Sequence, residues 1–215
     1  MLAELNLVRT NPAEYSKHLD ARMQFYVNDD ALLSDEQKKE NIKQRVFKTG
    51  ATPEVTKEGV KAVKEASDVL KKQKPVGKLT LSPGMSRAAA ELVTYQSGNG
   101  KIGHVGSKIT VIVNNIPSVI VDDDKTSRQR LDGFHGTVIP NKDGRESVGE
   151  NVQYGGLDAR DIVIRLLIDD GVPGRGHRTS ILDPNFCIVG VACGTHPTYG
   201  KMCVIPFVGN YQEGR

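Results

Sequence analysis

The sequence predicts a single α+β domain. Helix signals fill the first hundred residues, whereas two strand-like runs, 187–193 and 202–208, complete the chain. Between these parts, a helix through residues 162–168 is apolar on nearly every side, which is typical of a buried central helix. With 215 residues and a hydrophobic fraction of 38%, the chain can build one large domain around a core.

The first two helices are marked by periodicity and capping. Apolar side chains recur at helical spacing through residues 2–10 and predict a first helix there. Asn11 and Pro12 supply an N-cap and a proline at the first helical position. A second helix is therefore expected from Pro12 to about Met23.

The next part of the chain predicts an added helical segment, residues 28–75. Ser34 and Gln37 form a capping box for a polar helix that reaches about Lys48. The pair at 52–53, Thr-Pro, is expected to begin another helix with one apolar side.

The middle of the chain combines strong helix signals with a less regular stretch. Ser82 caps a well-marked helix that the glycines near residue 100 stop, and Asp158 caps the buried helix. In between, residues 108–135 are interpreted as an inserted loop or hairpin. Apolar residues alternate through 109–113 as in a strand, and 119–121 is its expected return.

The last two strands are joined by a loop and carry the cysteines. Three cysteines are too few for a disulfide framework. Cys193 and Cys203 lie where they could face each other across the hairpin and form a disulfide, and Cys187 is then expected to be a buried free thiol. Pro206 lies inside the second strand, which favours an edge position or a bulge.

Composition excludes several classes of partner. The 29 basic and 26 acidic residues nearly balance, and no basic run is interleaved with aromatics, so a nucleic-acid partner is not expected. No stretch of about 18 apolar residues predicts a transmembrane segment. The first residues are amphipathic and do not resemble a leader, which leaves either a cytoplasmic protein or a mature chain whose leader has been removed.

Two histidines and one glutamate stand in glycine-marked turns. His104 and His177 each have glycine neighbours that let the backbone approach a ligand, and Glu150 lies in Gly-Glu-Asn. A single loop histidine is usually only solvated, but the three residues together favour a polar site assembled from separate loops. Neutral imidazole binds zinc, and a nearby carboxylate orients the ring or acts as a base. Two histidines alone leave the metal half-ligated, so water or substrate would complete its coordination.

Two aspartates precede the second histidine. Asp169 and Asp170 lie at the C-terminal end of the buried helix, where acids oppose the helix dipole. Either they mark an exposed helix end or one of them pairs with His177. The arginines on both sides of that histidine either clamp an anion or bridge acids of the fold. His18 and His196 lack such neighbours and are expected on the surface.

The order of these motifs resembles the CAP superfamily, the SCP-like domain of cysteine-rich secretory proteins, insect antigen 5 and plant pathogenesis-related group one proteins. The resemblance rests on residues 5–12, on Gly-Glu-Asn-Val at 149–152, on Gly-His-Arg-Thr-Ser-Ile-Leu at 176–182 and on Gly-Asn-Tyr at 209–211. It implies a three-layer α-β-α sandwich with a central, mostly antiparallel sheet and a large cleft.

The resemblance also implies a site and a range of functions. Two histidines and two acids would line the cleft: His104, His177, Glu150 and a second acid, for which Asp170 is preferred over Asp169. The histidines would hold zinc or another divalent metal. The expected protein is secreted and binds a sterol, a fatty acid or another small amphipathic ligand. Alternatives are a metal- or His/Glu-dependent hydrolase resembling a peptidase, and a module for an extracellular protein partner with a vestigial cleft. Binding ranks above catalysis because no activated nucleophile or three-ligand metal site is visible.

Overall fold

The computed structural model describes residues 1–49, 52–113, 116–132 and 135–214. The α-helices of these residues are α1 (Leu2–Thr10), α2 (Pro12–Met23), α3 (Asp35–Lys39), α4 (Val60–Lys72), α5 (Pro83–Asn99), α6 (Ser127–Leu131), α7 (Ala159–Ile168) and α8 (Gly176–Leu182). The strands are β1 (Tyr26–Val27), β2 (Val46–Phe47), β3 (Glu54–Val55), β4 (Thr80–Leu81), β5 (Ser107–Val113), β6 (Ile116–Asp122), β7 (Gly136–Val138), β8 (Val148–Tyr154), β9 (Ile188–Val189), β10 (Ala192–His196), β11 (Gly200–Val208) and β12 (Tyr211–Glu213).

The central sheet has β11 in its middle. One side of β11 pairs with β8, and the other side pairs first with β10 and then with β9. These pairings are antiparallel, and only β4, which joins β9, runs parallel. The predicted mostly antiparallel central sheet is therefore confirmed.

Helices cover both faces of this sheet. On one face α5 packs against β10 and β11, where Leu92 and Val93 meet Val152, Met202 and Val204. On the other face α1, α7 and α8 bury the largest apolar cluster, which includes Phe207 of β11. The predicted α-β-α sandwich is confirmed, and so is the central position of α7, since nearly all of its apolar side chains are buried.

Residues 28–75 are less helical than predicted. The capping box of Ser34 and Gln37 forms, but α3 ends at Lys39, because Asn41 and Gln44 adopt left-handed backbone angles (φ 51° and 47°). The chain then enters β2, and β1, β2 and β3 form a small antiparallel sheet. The helix expected from residue 52 begins only at Val60. We call residues 22–58, which carry this sheet, the N-terminal wall.

The stretch 108–135 contains the predicted hairpin. Strands β5 and β6 pair antiparallel, with Ile109 opposite Ile120, and α6 follows them. The turn between the two strands lies outside the described residues. In the part that is described, this hairpin packs mainly against α5.

The penultimate strand is split, which explains the proline. Residues 187–193 form β9 and the start of β10, with a break at Gly190 and Val191. Gly190 donates its N–H to the Pro206 carbonyl at 3.0 Å, so the missing N–H of Pro206 faces this break. The expectation of an edge strand is wrong, because β11 is central, but the proline does lie opposite an irregularity.

The cysteine pairing follows the sheet register. Cys193 and Cys203 are direct partners across β10 and β11, their Cα atoms are 4.1 Å apart, and they form the predicted disulfide. Cys187 is free, as expected, but it is exposed and not buried, because its neighbour Phe186 is the residue that packs into the core. None of the described helices is long and apolar enough to cross a membrane.

Candidate functional site

Two histidine–carboxylate pairs involve the consecutive residues Glu150 and Asn151 of β8. Glu150 is itself a member of the first pair, and Asn151 donates to the backbone carbonyl of His177 in the second. Successive side chains of a strand point to opposite faces of its sheet. Val152 and, with it, Glu150 face the α5 layer, whereas Asn151 and Gln153 face the layer of α7 and α8. His104 and Glu150 therefore form one pair on one face, and His177 and Asp169 form a second pair on the opposite face.

The first pair is His104 with Glu150. The imidazole Nδ1 lies 3.1 Å from Glu150 Oε1, and the His104 side chain is 49% exposed. Glu150 is only 4% exposed, and Ser127 of α6 also donates to it, at 2.8 Å. The glutamate is thus enclosed by residues of the loop after α5 and of the inserted stretch.

Arg130 fixes this glutamate. Its guanidinium Nη2 donates to both oxygens of Glu150, at 2.9 and 2.7 Å, and the arginine side chain is 1% exposed. Burial alone would raise the pKa of Glu150, but hydrogen bonds from His104, Arg130 and Ser127 and the charge of Arg130 outweigh it and lower this pKa. The carboxylate is ionised and fully engaged within the fold.

The second pair is His177 with Asp169. Asp169 Oδ1 lies 2.6 Å from the imidazole Nδ1, and Oδ2 accepts the backbone N–H of His177 at 3.0 Å. Asp169 ends α7 in a left-handed conformation (φ 54°), which turns its buried carboxylate back toward the start of α8. His177 lies in the first turn of that helix and not in a loop as predicted.

Asp170, the preferred second acid, has a different role. Its two carboxylate oxygens accept the backbone N–H groups of Lys57 and Glu58, at 2.6 and 2.8 Å. Asp169, the alternative, is the acid that contacts His177. The preference for Asp170 is therefore corrected: the left-handed turn at Asp169 directs the first aspartate to the histidine and the second to the N-terminal wall.

His177 opens into a cavity of about 200 Å³ between the sandwich and the N-terminal wall. One side consists of α7, α8 and β8, and the other of residues from the wall. Its lining comprises Arg22, Tyr26, Glu54, Thr56, Gln153, Arg165, Ile168, Asp169, Asp170, Val172 and His177. His104 and Glu150 do not line it.

The imidazole of His177 presents one free nitrogen. Its Nδ1 is held by Asp169, its side chain is 24% exposed, and Nε2 is in contact with solvent and has no hydrogen-bond partner among the residues described. A carboxylate at Nδ1 favours the tautomer with the proton on that nitrogen, so Nε2 is an acceptor in the neutral ring.

The donor set does not fit a metal centre built by the protein alone. Across the described ranges, no three His, Cys, Asp or Glu side chains are placed to hold one ion. His104 and His177 also lie on opposite faces of the edge strand β8. Zinc binding by these two histidines stays a prediction.

Sequence reasoning missed a third pair, Glu91 with His135. His135 Nε2 lies 2.7 Å from Glu91 Oε1, and Ser107 and Lys125 donate to Oε2 at 2.5 and 2.9 Å. Burial raises the pKa of Glu91, but hydrogen bonds from His135, Ser107 and Lys125 outweigh this and lower it to about 2. The cluster fastens the inserted stretch to α5.

The remaining expectations concern one further histidine and the two arginines beside His177. His196 was expected on the surface but is buried, with Nε2 3.1 Å from the Lys101 carbonyl oxygen. Arg175 and Arg178 bridge acids within the fold, as one of the two alternatives had it: Arg175 donates to Glu58 and Arg178 donates to Glu65. Neither arginine lines the His177 cavity.

Comparison with models of protein families shows which family the chain belongs to. The model of the cysteine-rich secretory protein family, CAP, matches residues 65–211, about two thirds of the chain. The chain belongs to the CAP family. The match includes both histidine–carboxylate pairs and the inserted stretch, whereas the N-terminal wall of this CAP protein lies outside it. No curated protein and no solved structure is significantly similar to the chain.

Proposed function

We propose that this CAP protein is a binding protein that holds a small polar ligand in the cavity beside His177. The observation that carries the proposal is the Asp169–His177 pair, which fixes the ring through Nδ1 and leaves Nε2 as an accessible acceptor. A binding group held in one tautomer and one orientation loses little entropy when a ligand arrives.

The cavity favours a polar ligand over a sterol or a fatty acid. Pockets for drug-sized ligands usually measure about 300–1,000 Å³ and are mostly apolar. The His177 cavity measures about 200 Å³, and Ile168 and Val172 are the only aliphatic side chains among its lining residues. An amphipathic lipid would place its apolar surface against the charged side chains of the lining and against His177 Nε2.

The same geometry favours binding over hydrolysis. A His/Glu acid–base mechanism needs a carboxylate that can take up a proton at the substrate. Glu150 is instead held by the two-fold contact with Arg130 and by Ser127, and it does not line the His177 cavity. Among the described residues, no serine, threonine or cysteine side chain is hydrogen-bonded to the His177 ring, so the ring has no nucleophile to activate.

We also propose that the protein works outside the cell. The disulfide between Cys193 and Cys203 supports this, because such bonds persist in oxidising compartments. Mass spectrometry of the protein from its natural source, without reductant, tests it. A pair found in the thiol form there would contradict an extracellular location.

The binding proposal is tested by NMR of the histidine rings during titration with a library of small polar and apolar fragments. We expect polar fragments to shift the His177 ring resonance and to lose binding in His177→Gln. His18→Gln is the matched control, because His18 packs on Tyr15 away from the cavity. Saturable binding of sterols or fatty acids that leaves the His177 resonance unchanged would overturn the proposal, and so would a library that never shifts it.

A further inference from the structure

We propose that the protein has a second ligand site, which binds a phosphate or sulfate group. The site is a cavity of about 330 Å³ where three segments meet: residues 139–147, which join β7 to β8, Asn185 ahead of β9, and the turn at Gly209 and Asn210. We call it the β7–β8 cavity. Among the described residues, none lines both this cavity and the His177 cavity, so the site lies outside the function proposed above.

The cavity gives a physical role to the Gly-Asn-Tyr motif. Gly209 donates its N–H to the Ser147 carbonyl at 3.0 Å, and a Cβ at Gly209 would lie 3.1 Å from the Asn185 carbonyl oxygen and 3.3 Å from the Ser147 Cβ. A larger side chain would press the three segments apart where they meet. The Asn210 carbonyl accepts an N–H from the start of the joining segment, at 3.1 Å. The first two residues of the motif therefore hold the cavity together.

Two cations line the cavity without a carboxylate partner. Within the described part of the chain, neither Lys142 nor Arg145 makes an ion pair or a side-chain hydrogen bond. Arg128, Arg130 and Arg165, in contrast, each donate to a carboxylate. An arginine without a partner presents a planar fork of N–H donors that matches the oxygens of an oxyanion. Two positive charges of the lining are therefore available to a ligand.

Most acids near the cavity are matched by other cations. The described lining itself contains no carboxylate. Glu146 and Asp132 both contact Arg128, which donates to the two Glu146 oxygens at 2.8 Å. Asp183 lies beside the guanidinium of Arg9, which donates to the Asp183 carbonyl oxygen at 3.0 Å. These acids do not neutralise the two cations of the lining.

Asp143 is the remaining acid of the joining segment. It is exposed, it does not line the cavity, and it makes no ion pair with the residues described. Salt screens an exposed charge of this kind, so Asp143 opposes anion binding only weakly. Its removal therefore provides a test with a known sign.

The neutral side chains of the lining add donors. Asn141 Oδ1 accepts two backbone N–H groups of its own turn, at 3.0 and 2.9 Å, and Asn210 Oδ1 accepts the Tyr211 N–H at 3.0 Å. Only an amide oxygen can accept an N–H, so the NH2 group of each asparagine is left as a donor. The half-buried Ser147 hydroxyl has no hydrogen bond within the described chain and can donate as well.

Acceptors of the lining are largely occupied by the fold. The backbone carbonyls of Asn141, Ser147 and Asn210 each accept a backbone N–H, at 2.9, 3.0 and 3.1 Å. Among the side chains, Asn185 keeps a free oxygen, because its amide nitrogen donates to Asp183. Donors thus predominate, and they come from several segments. A tetrahedral phosphate or sulfate group, with three or four oxygens, uses such a set more fully than a carboxylate with two.

The size of the cavity allows a group larger than a bare ion. Its volume of about 330 Å³ equals that of roughly eleven liquid waters at about 30 Å³ each. A free phosphate or sulfate ion fits, and so does the same group on a small organic molecule. The two sources share one chemistry and are separated by the choice of probe.

The experiment titrates the full chain with inorganic phosphate, sulfate, glycerol 3-phosphate and acetate, at an ionic strength held constant with sodium chloride. We expect phosphate and sulfate to shift the amide NMR resonances of Gly209 and Asn210 saturably, with a Kd in roughly the millimolar range, and acetate to bind at least ~10-fold more weakly. Tighter binding of glycerol 3-phosphate would assign the site to an organic phosphate, and equal binding would assign it to the free ion. Acetate that binds as tightly as phosphate, or the absence of saturable shifts, would overturn the proposal.

Variants with matched controls separate a site from a general charge effect. Arg145→Gln should weaken phosphate by ~10-fold, whereas Arg87→Gln, at an exposed arginine that also lacks a partner in the described chain, should not. Asn210→Asp keeps the acceptor for the Tyr211 N–H but replaces the donor by a negative oxygen, and it should also weaken phosphate by ~10-fold. Its control is Asn99→Asp, because Asn99 Oδ1 likewise accepts a nearby backbone N–H and is exposed.

Asp143→Asn should strengthen phosphate binding by ~2-fold, since it removes one exposed negative charge. Control variants that weaken phosphate as much as Arg145→Gln and Asn210→Asp would show a general charge effect and overturn the proposal. So would a phosphate ion that shifts the His177 ring resonance and leaves Gly209 and Asn210 unchanged. The fold of each variant is checked by its amide NMR spectrum.

Discussion

Replacing Arg130 by methionine is expected to destabilise the protein strongly, although the two side chains are similar in length. Arg130 Nη1 donates to three backbone carbonyls, those of His104, Gly106 and Lys125, each at 3.0 Å, and Nη2 donates to Glu150. Arg130→Met leaves a buried carboxylate without its counter-charge. Breaking a buried ion pair from one side costs about 3–5 kcal/mol.

A double-mutant cycle isolates the pair. Glu150→Leu should cost a similar ~3–5 kcal/mol, because it leaves the guanidinium buried and unpaired. The double variant removes both charges, so its cost should be at least ~2 kcal/mol less than the sum of the single costs. Urea denaturation of the four proteins at neutral pH measures this. Additive single costs would show that Arg130 and Glu150 act independently and would refute the reasoning that Glu150 serves the fold.

Three further predictions follow from the other pairs. Glu91→Gln should lower the free energy of unfolding by about 3 kcal/mol at neutral pH, since the pKa of Glu91 falls from 4.5 to about 2 on folding. This stabilisation is complete above about pH 4.5 and is lost as pH falls toward 2, so the difference in stability between variant and wild type should vanish at low pH. A difference that does not change with pH would contradict this prediction. Asp169→Asn should move the N–H proton of the neutral His177 ring from Nδ1 to Nε2, a change of tautomer that nitrogen-15 NMR detects. An unchanged tautomer would mean that Asp169 does not hold the ring. Reducing the Cys193–Cys203 disulfide should cost about 3 kcal/mol for a closed loop of this length, measured by denaturation with and without reductant, and equal midpoints would count against it.

Local signals predicted the helices of the sandwich, because a capping residue and the first turn that it caps lie within a few residues of each other. The three-layer arrangement was implied by the family resemblance. Ser82 accepts the Met85 N–H and Asp158 accepts the Asp161 N–H, as their positions before helical runs indicated. The disulfide was also predictable, since the two cysteines flank one hairpin. The small sheet of the N-terminal wall was not, because β1, β2 and β3 have two residues each and show no period.

Candidate site residues could be named from the sequence, but their arrangement could not. Glycine-flanked histidines and the Gly-Glu-Asn motif pointed to His104, His177 and Glu150. Their division into two pairs depends on strand alternation at β8, and the choice of Asp169 depends on one left-handed residue. Arg130 acts on Glu150 across 20 residues of chain, and no sequence pattern marks a contact of that kind.

Titration with zinc, followed through the ring resonances of both histidines, tests most directly the claim that the two pairs are separate. The account predicts that His104 and His177 respond independently, so that His104→Ala leaves the His177 response unchanged and His177→Ala leaves that of His104 unchanged. One zinc ion per chain, bound at a single site that either substitution abolishes, would show that the two histidines converge and would contradict the account.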